Sequence, residues 1–289
     1  MHQSVLLEEV VALFKPLSQR PQPILIDCTL GLGGHSLALL QAYPNLHIVG
    51  IDRDKEAQTL ALDKLTPYKE RFTHKQGNFA QILPTLPSPQ GILADLGVSS
   101  LQLDNPNRGF GFNALSLDMR MDTGQSLDAF KVVNGYSLYE LERVLQTGEV
   151  REYKKIASLI VQQRHKQPFN TAQDLANFLA KHIHRRRLHP ATLVFQAIRM
   201  EVNTEMQNLQ ALLEYSKTLQ DTLVCVISFH SLEDRQVKYT FKECATSGAH
   251  GKTYGNTLTK KPITPSSKEV QHNPRARSAK MRAFHFKAL

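Results

Sequence analysis

The chain has 289 residues and a formal net charge of +9, with 41% hydrophobic and 21% charged residues, which suits one large or two ordinary folded domains and excludes a disordered polyelectrolyte. No apolar run approaches the roughly 18 residues of a membrane-spanning helix, and the first residues carry Glu8 and Glu9 without the basic start of a secretory signal. Cys28, Cys225 and Cys244 stand far apart with no C-x-x-C pair, which argues against a disulfide scaffold or a cysteine zinc site and for a reducing cytoplasm.

Ile24-Leu25-Ile26 predicts a first strand that ends at Asp27 and enters a glycine-rich turn, with a helix over 36–41 behind it. Residues 48–51 predict a second strand ending at Asp52, followed by a helix over 55–65 closed near Pro67. A third strand is expected over 72–76, stopped by Gly77-Asn78, and a fourth over 92–94 ending at Asp95. This alternation is that of a parallel sheet covered by helices. Residues 96–124 are loop-rich, with Pro106, Gly109, Gly111 and Gly124. The pattern then turns helical. A Ser137-x-x-Glu140 capping box precedes Leu141, Val144 and Leu145, and Tyr153, Ile156, Ala157, Ile160 and Val161 form a second stripe. Thr171-x-x-Asp174 opens a third helix with Leu175, Phe178, Leu179 and Ile183, and Pro190 stands near the start of a fourth through Phe195 and Met200. Strand character returns at 223–227, with a helix from about Leu232. The economical reading is an α/β fold, mostly parallel, in which residues 1–110 and 205–289 flank an inserted helical domain over 111–204. The alternative is that these helices lie on the same core with no separate domain.

The segment Asp27-Cys28-Thr29-Leu30-Gly31-Leu32-Gly33-Gly34-His35-Ser36 lies between a strand and a helix, the context in which a glycine-rich turn lets a ligand approach the backbone. It has no Lys-Ser/Thr ending, so it is no Walker loop, and its G-x-G-G spacing departs from the dinucleotide fingerprint G-x-G-x-x-G. Asp52 ends the second strand where doubly wound folds place the acid that accepts ribose hydroxyls, with Asp54 free to cap the next helix instead. Asp27 beneath the turn would repel a pyrophosphate and attract an ammonium, which favours S-adenosylmethionine over a nicotinamide dinucleotide. At the end of the fourth strand, Asp95 and Gln102 in Asp95-Leu96-Gly97-Val98-Ser99-Ser100-Leu101-Gln102 can reach an adenine edge or an amine, although Asp, Gly and Ser are also ordinary turn residues. The fifth strand ends in Ile227-Ser228-Phe229-His230-Ser231-Leu232-Glu233-Asp234-Arg235, without the G-x-S-x-G of a hydrolase. No histidine pair has ligand spacing beside an acid cluster, so no metal site is expected.

The positive charge falls in two blocks. Residues 151–187 and residues 260–289 each net +7, leaving −5 on the rest of the chain. Two basic blocks on a mildly acidic body point to a polyanion, RNA above all, with Arg185, Arg186 and Arg187 in one block and Arg275, Arg277 and Lys280 in a basic C-terminal tail as the expected contacts. Neither block carries Trp or a strong Phe/Leu face, so no membrane partner is expected.

In chain order, these segments resemble the RsmH (MraW) family of bacterial 16S rRNA cytosine-N4 methyltransferases. The resemblance rests on His2-Gln3-Ser4-Val5-Leu6-Leu7, the 27–36 turn, Asp52-Arg53-Asp54, Gly77-Asn78-Phe79, the 95–104 string, Arg108-Gly109-Phe110-Gly111-Phe112, Leu117-Asp118-Met119-Arg120-Met121-Asp122, the 227–235 string and Asn273-Pro274-Arg275-Ala276-Arg277-Ser278-Ala279-Lys280. It implies a class I methyltransferase fold, S-adenosylmethionine as cofactor, and the cytidine at position 1402 of 16S rRNA as substrate in the decoding region of the small ribosomal subunit. It also implies cofactor contacts at Gly33, Gly34, His35, Asp52, Phe79, Asp95 and Gln102. Leu193 and Val194 stand where the family usually has Arg-Thr, and Gly111 where Ser is common. For transfer, Asp95 is the expected acceptor for the amino proton, with His230 and Glu233 as further candidates. A nicotinamide-linked oxidoreductase and a catalytically silent RNA-binding module are the alternatives, and a homodimer stays open.

Overall fold

A computed structural model describes residues 4–183, 189–246 and 253–287. Arg185, Arg186 and Arg187 lie outside the described residues. The strands are β1 (Ile24–Asp27), β2 (His47–Asp52), β3 (Phe72–Gln76), β4 (Gly91–Asp95), β5 (Thr222–Ser228), β6 (Gly255–Thr257) and β7 (Lys280–Phe286). They form one seven-stranded sheet in the order β3-β2-β1-β4-β5-β7-β6. The first five are parallel, while β7 runs antiparallel to both β5 and β6. The helices are α1 (Leu7–Phe14), α2 (Gly34–Ala42), α3 (Lys55–Leu65), α4 (Phe79–Ile82), α5 (Ser100–Asp104), α6 (Ala129–Gly135), α7 (Leu138–Thr147), α8 (Tyr153–Arg164), α9 (Ala172–His182), α10 (Thr192–Asn203), α11 (Glu205–Ser216), α12 (Ser231–Thr246) and α13 (Ser267–His272). No described helix is long and apolar enough to cross a membrane.

The central strands are continuous apolar runs because both of their faces are covered. Every residue of β5 is buried. Alternation sorts the strand residues between two clusters: Leu25, Leu93, Cys225 and Ile227 pack with α1, α2 and α3, whereas Ile26, Ile92, Val224 and Val226 pack with α4, α11 and α12. Cys28, Cys225 and Cys244 are buried free thiols.

The chain divides into two compact units, residues 1–97 with 207–289, and residues 98–206. The first boundary falls earlier than the expected 110, because Val98, Leu103 and Phe110 pack on the core of the second unit. The other falls in the first turn of α11. Within the second unit, the expected Ser137–Glu140 capping box is formed on α7, and at the expected helix start Thr171 forms a second one with Asp174 on α9.

One expectation is overturned. The 260–289 block is no free basic tail, because residues 280–286 form β7 between β5 and β6. Met281, Ala283, Phe284 and Phe286 are buried on it, and Arg282 is 8% exposed. Lys280, Arg282 and His285 interrupt its apolar positions, so the charge count conceals a strand.

Candidate cofactor crevice at the strand ends

The strand order reverses between β1 and β4, the place where an open α/β sheet opens a crevice beyond its carboxyl ends. β1 ends at Asp27, which is 1% exposed. Its Oδ2 accepts the Ser36 hydroxyl at 2.6 Å and its Oδ1 the Thr29 N–H at 3.2 Å. Asp27 thus braces the turn from both ends. Gly33 adopts φ 72° as N-cap of α2, and a Cβ there would stand 3.1 Å from Leu65 Cδ1 and 3.2 Å from Ala61 Cβ, so α3 packs directly on the turn. A Cβ on Gly34 would collide with Ser4 Oγ. The N-terminal segment lies against this turn, held where His35 Nε2 bonds Val5 C=O at 2.9 Å and the Leu6 N–H donates to Glu269 Oε1 at 2.8 Å.

β2 delivers Asp52, whose Oδ2 accepts the Gly31 N–H at 2.6 Å and whose Oδ1 accepts the Asp54 N–H at 2.8 Å. Capping of α3 falls to Asp54, which accepts from the Glu56 and Ala57 N–H groups. Each Asp52 oxygen therefore keeps acceptor capacity for a hydroxyl. Phe79 follows β3 at the start of α4, 8% exposed and packed with Ile51 and Leu83, behind Asn78, whose side chain donates to Asn208 Oδ1 at 2.8 Å.

β4 delivers Asp95. Its N–H donates to Thr29 Oγ1 at 2.7 Å, its Oδ2 stands 3.7 Å from His35 Nδ1, and its Oδ1 is buried with no hydrogen-bond partner among the described residues. Burial pushes Asp95 up to about 7, with His35 pulling down and Asp27 and Glu233 pushing further up. Burial likewise raises Asp27 to about 6, against the pull of the Ser36 and Thr29 hydrogen bonds. It raises Asp52 to about 6, against the Asp54 and Gly31 N–H groups. Three carboxyl groups at three adjacent strand ends are thus all held above their usual range.

At the end of β5, Glu233 is 2% exposed and its Oε2 accepts the Phe229 and His230 N–H groups at 2.9 and 3.3 Å. His230 Nδ1 accepts the Glu233 N–H at 3.4 Å, and Nε2 stands 3.1 Å from Glu233 Oε1 without an aligned hydrogen bond. The two side chains are folded onto each other and onto the start of α12. Asp234 pairs with Lys280 at 3.0 Å and Arg282 at 2.7 Å. Burial would raise its carboxyl, but the hydrogen bonds from Arg282 and Lys280 outweigh that and hold it below the ordinary value.

Of the residues singled out in the sequence, Gly33, Gly34, His35, Asp52 and Asp95 gather around one turn, linked through Gly31 and Thr29, and Phe79 stands at the neighbouring strand end. Gln102 belongs to the 98–206 unit, where its Oε1 accepts the Ser99 N–H at 3.0 Å and completes the capping box of α5. Arg275 and Arg277 are exposed on the short 3-10 turn Pro274–Ser278, while Lys280 is drawn to Asp234. Sequence reasoning missed the bracing hydroxyls of Thr29 and Ser36, although both lie inside the glycine-rich motif. It also missed Glu269, whose partner Leu6 is 263 positions away and leaves no local trace.

Acceptor groups, one of them a buried carboxylate oxygen without a partner, define an α/β enzyme suited to a cationic, hydroxyl-bearing nucleoside cofactor rather than a phosphate. The chain belongs to the MraW methylase family, whose profile matches residues 1–287. It is 49% identical over 306 aligned residues to a protein of Helicobacter pylori (strain 26695) named ribosomal RNA small subunit methyltransferase H, covering 99% of this chain and 98% of that one. A protein of the same name from Wolinella succinogenes is 46% identical over 304 residues, covering 99% of both. The chain is a methyltransferase whose methyl donor is S-adenosylmethionine.

Proposed function

We propose that this protein transfers a methyl group from S-adenosylmethionine to the exocyclic N4 of a cytidine in small-subunit ribosomal RNA, position 1402 of 16S rRNA by family resemblance, in the cytoplasm where the small subunit is found. The observation that carries the reading is Asp95 Oδ1, a buried acceptor without a partner at the central strand end beside the glycine turn. An unsatisfied buried carboxylate oxygen calls for an N–H donor. Two fit: the ammonium of the methionine moiety and the N4 amine of cytosine. Asp52 would hold the ribose hydroxyls, the Gly33-Gly34 backbone would let the nucleoside approach, and Phe79 would contact the cofactor as the family resemblance implies. Gln102 contributes as the family resemblance implies.

The donor supplies an electrophilic methyl on a sulfonium. The cytosine N4 lone pair is delocalised into the ring, so alignment and an acceptor for the amino proton are what the chain must add. Asp95 fills that role better than His230, whose Nδ1 is engaged by backbone and whose Nε2 faces Glu233. The base leaves its stack to reach the methyl, so an unpaired or flipped cytidine is the form bound. Arg185, Arg186, Arg187, Arg275 and Arg277 supply the phosphate contacts, whereas Lys280 is paired with Asp234.

The test is methyl transfer from labelled S-adenosylmethionine to small-subunit RNA from cells lacking the enzyme, with and without Asp95→Asn. Label is expected with the natural protein. Loss of transfer with retained cofactor binding assigns Asp95 Oδ1 to the cytosine amine, and loss of both assigns it to the ammonium. Unchanged single-turnover rates remove Asp95 from the site.

A further inference from the structure

Two exposed histidines of the 98–206 unit each sit against a phenylalanine. His182, at the end of α9, lies 4.5 Å from Phe178 at a tilt of 53°. His189 lies 4.2 Å from Phe112 at 19°, a stacked arrangement. Phe112 in turn packs edge-on against Phe195 of α10 at 5.0 Å, so the stack is rooted in the core of its unit. His189 itself is exposed. Its ring does not swing freely. Nδ1 accepts the Ala191 N–H at 3.2 Å, and its carbonyl accepts the Thr192 N–H at 3.0 Å and the Thr192 hydroxyl at 2.8 Å. One ring face is covered by Phe112, while the residue stays exposed beside the start of α10.

We propose that the His189–Phe112 stack is a seat for one unpaired RNA base, which extends the aromatic stack by a further layer on the exposed side of His189. The proposal rests on the reading of RNA as substrate. An aromatic ring held in place before its ligand arrives loses little freedom on binding, and stacking on aromatic rings is how single-stranded RNA bases are held. The surrounding sequence suits such a ligand. In sequence, His182 and His189 flank Arg185, Arg186 and Arg187, at the end of a stretch of net charge +7, a composition matched in kind to the phosphates of such a ligand. Phe112 belongs to the Arg108-Gly109-Phe110-Gly111-Phe112 string, which the cofactor crevice does not use. The seat takes one unpaired base of the substrate, and its ring contacts all lie within the 98–206 unit.

The competing explanation is that His189 serves only to start α10, and two substitutions in the full-length protein separate the roles. His189→Asn keeps an acceptor for the Ala191 N–H but removes the ring; His189→Tyr keeps a ring face but removes Nδ1. The readouts are the affinity for a 16S rRNA transcript, the KM for RNA in methyl transfer, and the affinity for S-adenosylmethionine. The expected result is a roughly tenfold weaker RNA affinity and higher KM for His189→Asn, near-natural values for His189→Tyr, and unchanged cofactor affinity in both. Natural RNA affinity in His189→Asn overturns the seat, and so does equal weakening of the two variants, which would assign the effect to the helix start. A natural protein that neither binds nor methylates the transcript or the assembled small subunit overturns the RNA reading itself.

Discussion

At the scale of single residues, the crevice concentrates ionisation cost at the proposed cofactor site. Asp95 at about 7 is far above its unfolded value, so the folded state keeps a proton between roughly pH 4 and 7 that the unfolded chain has lost. Stability contributed by this group therefore falls as pH rises through that window. Asp95→Asn removes the cost: stability at pH 8 is expected to rise by about 1 kcal/mol, or ~2–4 °C in thermal melting, with the gap narrowing as pH falls from 7 towards 4. A variant melting below the natural protein at pH 8 contradicts this. The same titration governs cofactor binding in the opposite direction. A cationic ligand favours the ionised carboxylate, so affinity for S-adenosylmethionine is expected to drop as pH falls through about 7, measurable by calorimetry from pH 6 to 8. Ser36 is fully buried and bonded to Asp27 at 2.6 Å, so Ser36→Ala leaves a buried carboxyl with one partner fewer. A loss of about 1–3 kcal/mol in denaturant unfolding is expected.

At the scale of elements, β7 changes what the C-terminal positive charge means. Asp234 on α12 holds both Lys280 and Arg282 of β7, and the Arg282 side chain is buried where it meets that carboxylate. Asp234→Asn strands that charge and is expected to cost about 3 kcal/mol by urea unfolding, whereas replacing Asp234 and Arg282 together by apolar residues recovers much of it. Ending the chain before Lys280 would strip β5 of its neighbour, so cofactor binding and RNA binding should be lost together. Retained cofactor affinity in that truncation would show β7 to be dispensable. The first four strands and the two capped helix starts were legible in the sequence because apolar runs, capping residues and turn residues are local signals. β7 was not, because Lys280, Arg282 and His285 interrupt its apolar positions and its partner strand lies some fifty residues upstream. The acids Asp27, Asp52 and Asp95 were legible as strand-end residues, but their division of labour was not. Only the structure distinguishes Asp27, whose oxygens meet Ser36 and Thr29, from Asp95, whose Oδ1 meets nothing.

At the scale of the whole molecule, the net charge of +9 is concentrated in residues 151–187 and 260–289, while three carboxyl groups stand at the strand ends, a division suited to a cationic cofactor and a polyanionic substrate. Replacing Arg185, Arg186 and Arg187 together by Ala is expected to weaken RNA binding across sequences and to reduce the salt slope by about 2, at about 0.7 for each phosphate no longer neutralised, with cofactor affinity unchanged. An unaltered slope would place the phosphate-binding residues elsewhere. The proposed activity is narrower than RNA binding: it is the transfer of a methyl to one exocyclic nitrogen. Nucleoside mass spectrometry of small-subunit RNA, taken from cells lacking the enzyme and incubated with this protein and labelled S-adenosylmethionine, detects that product. The expected product is N4-methylcytidine in a single oligonucleotide; 5-methylcytidine, label spread over several positions, or no label would contradict it.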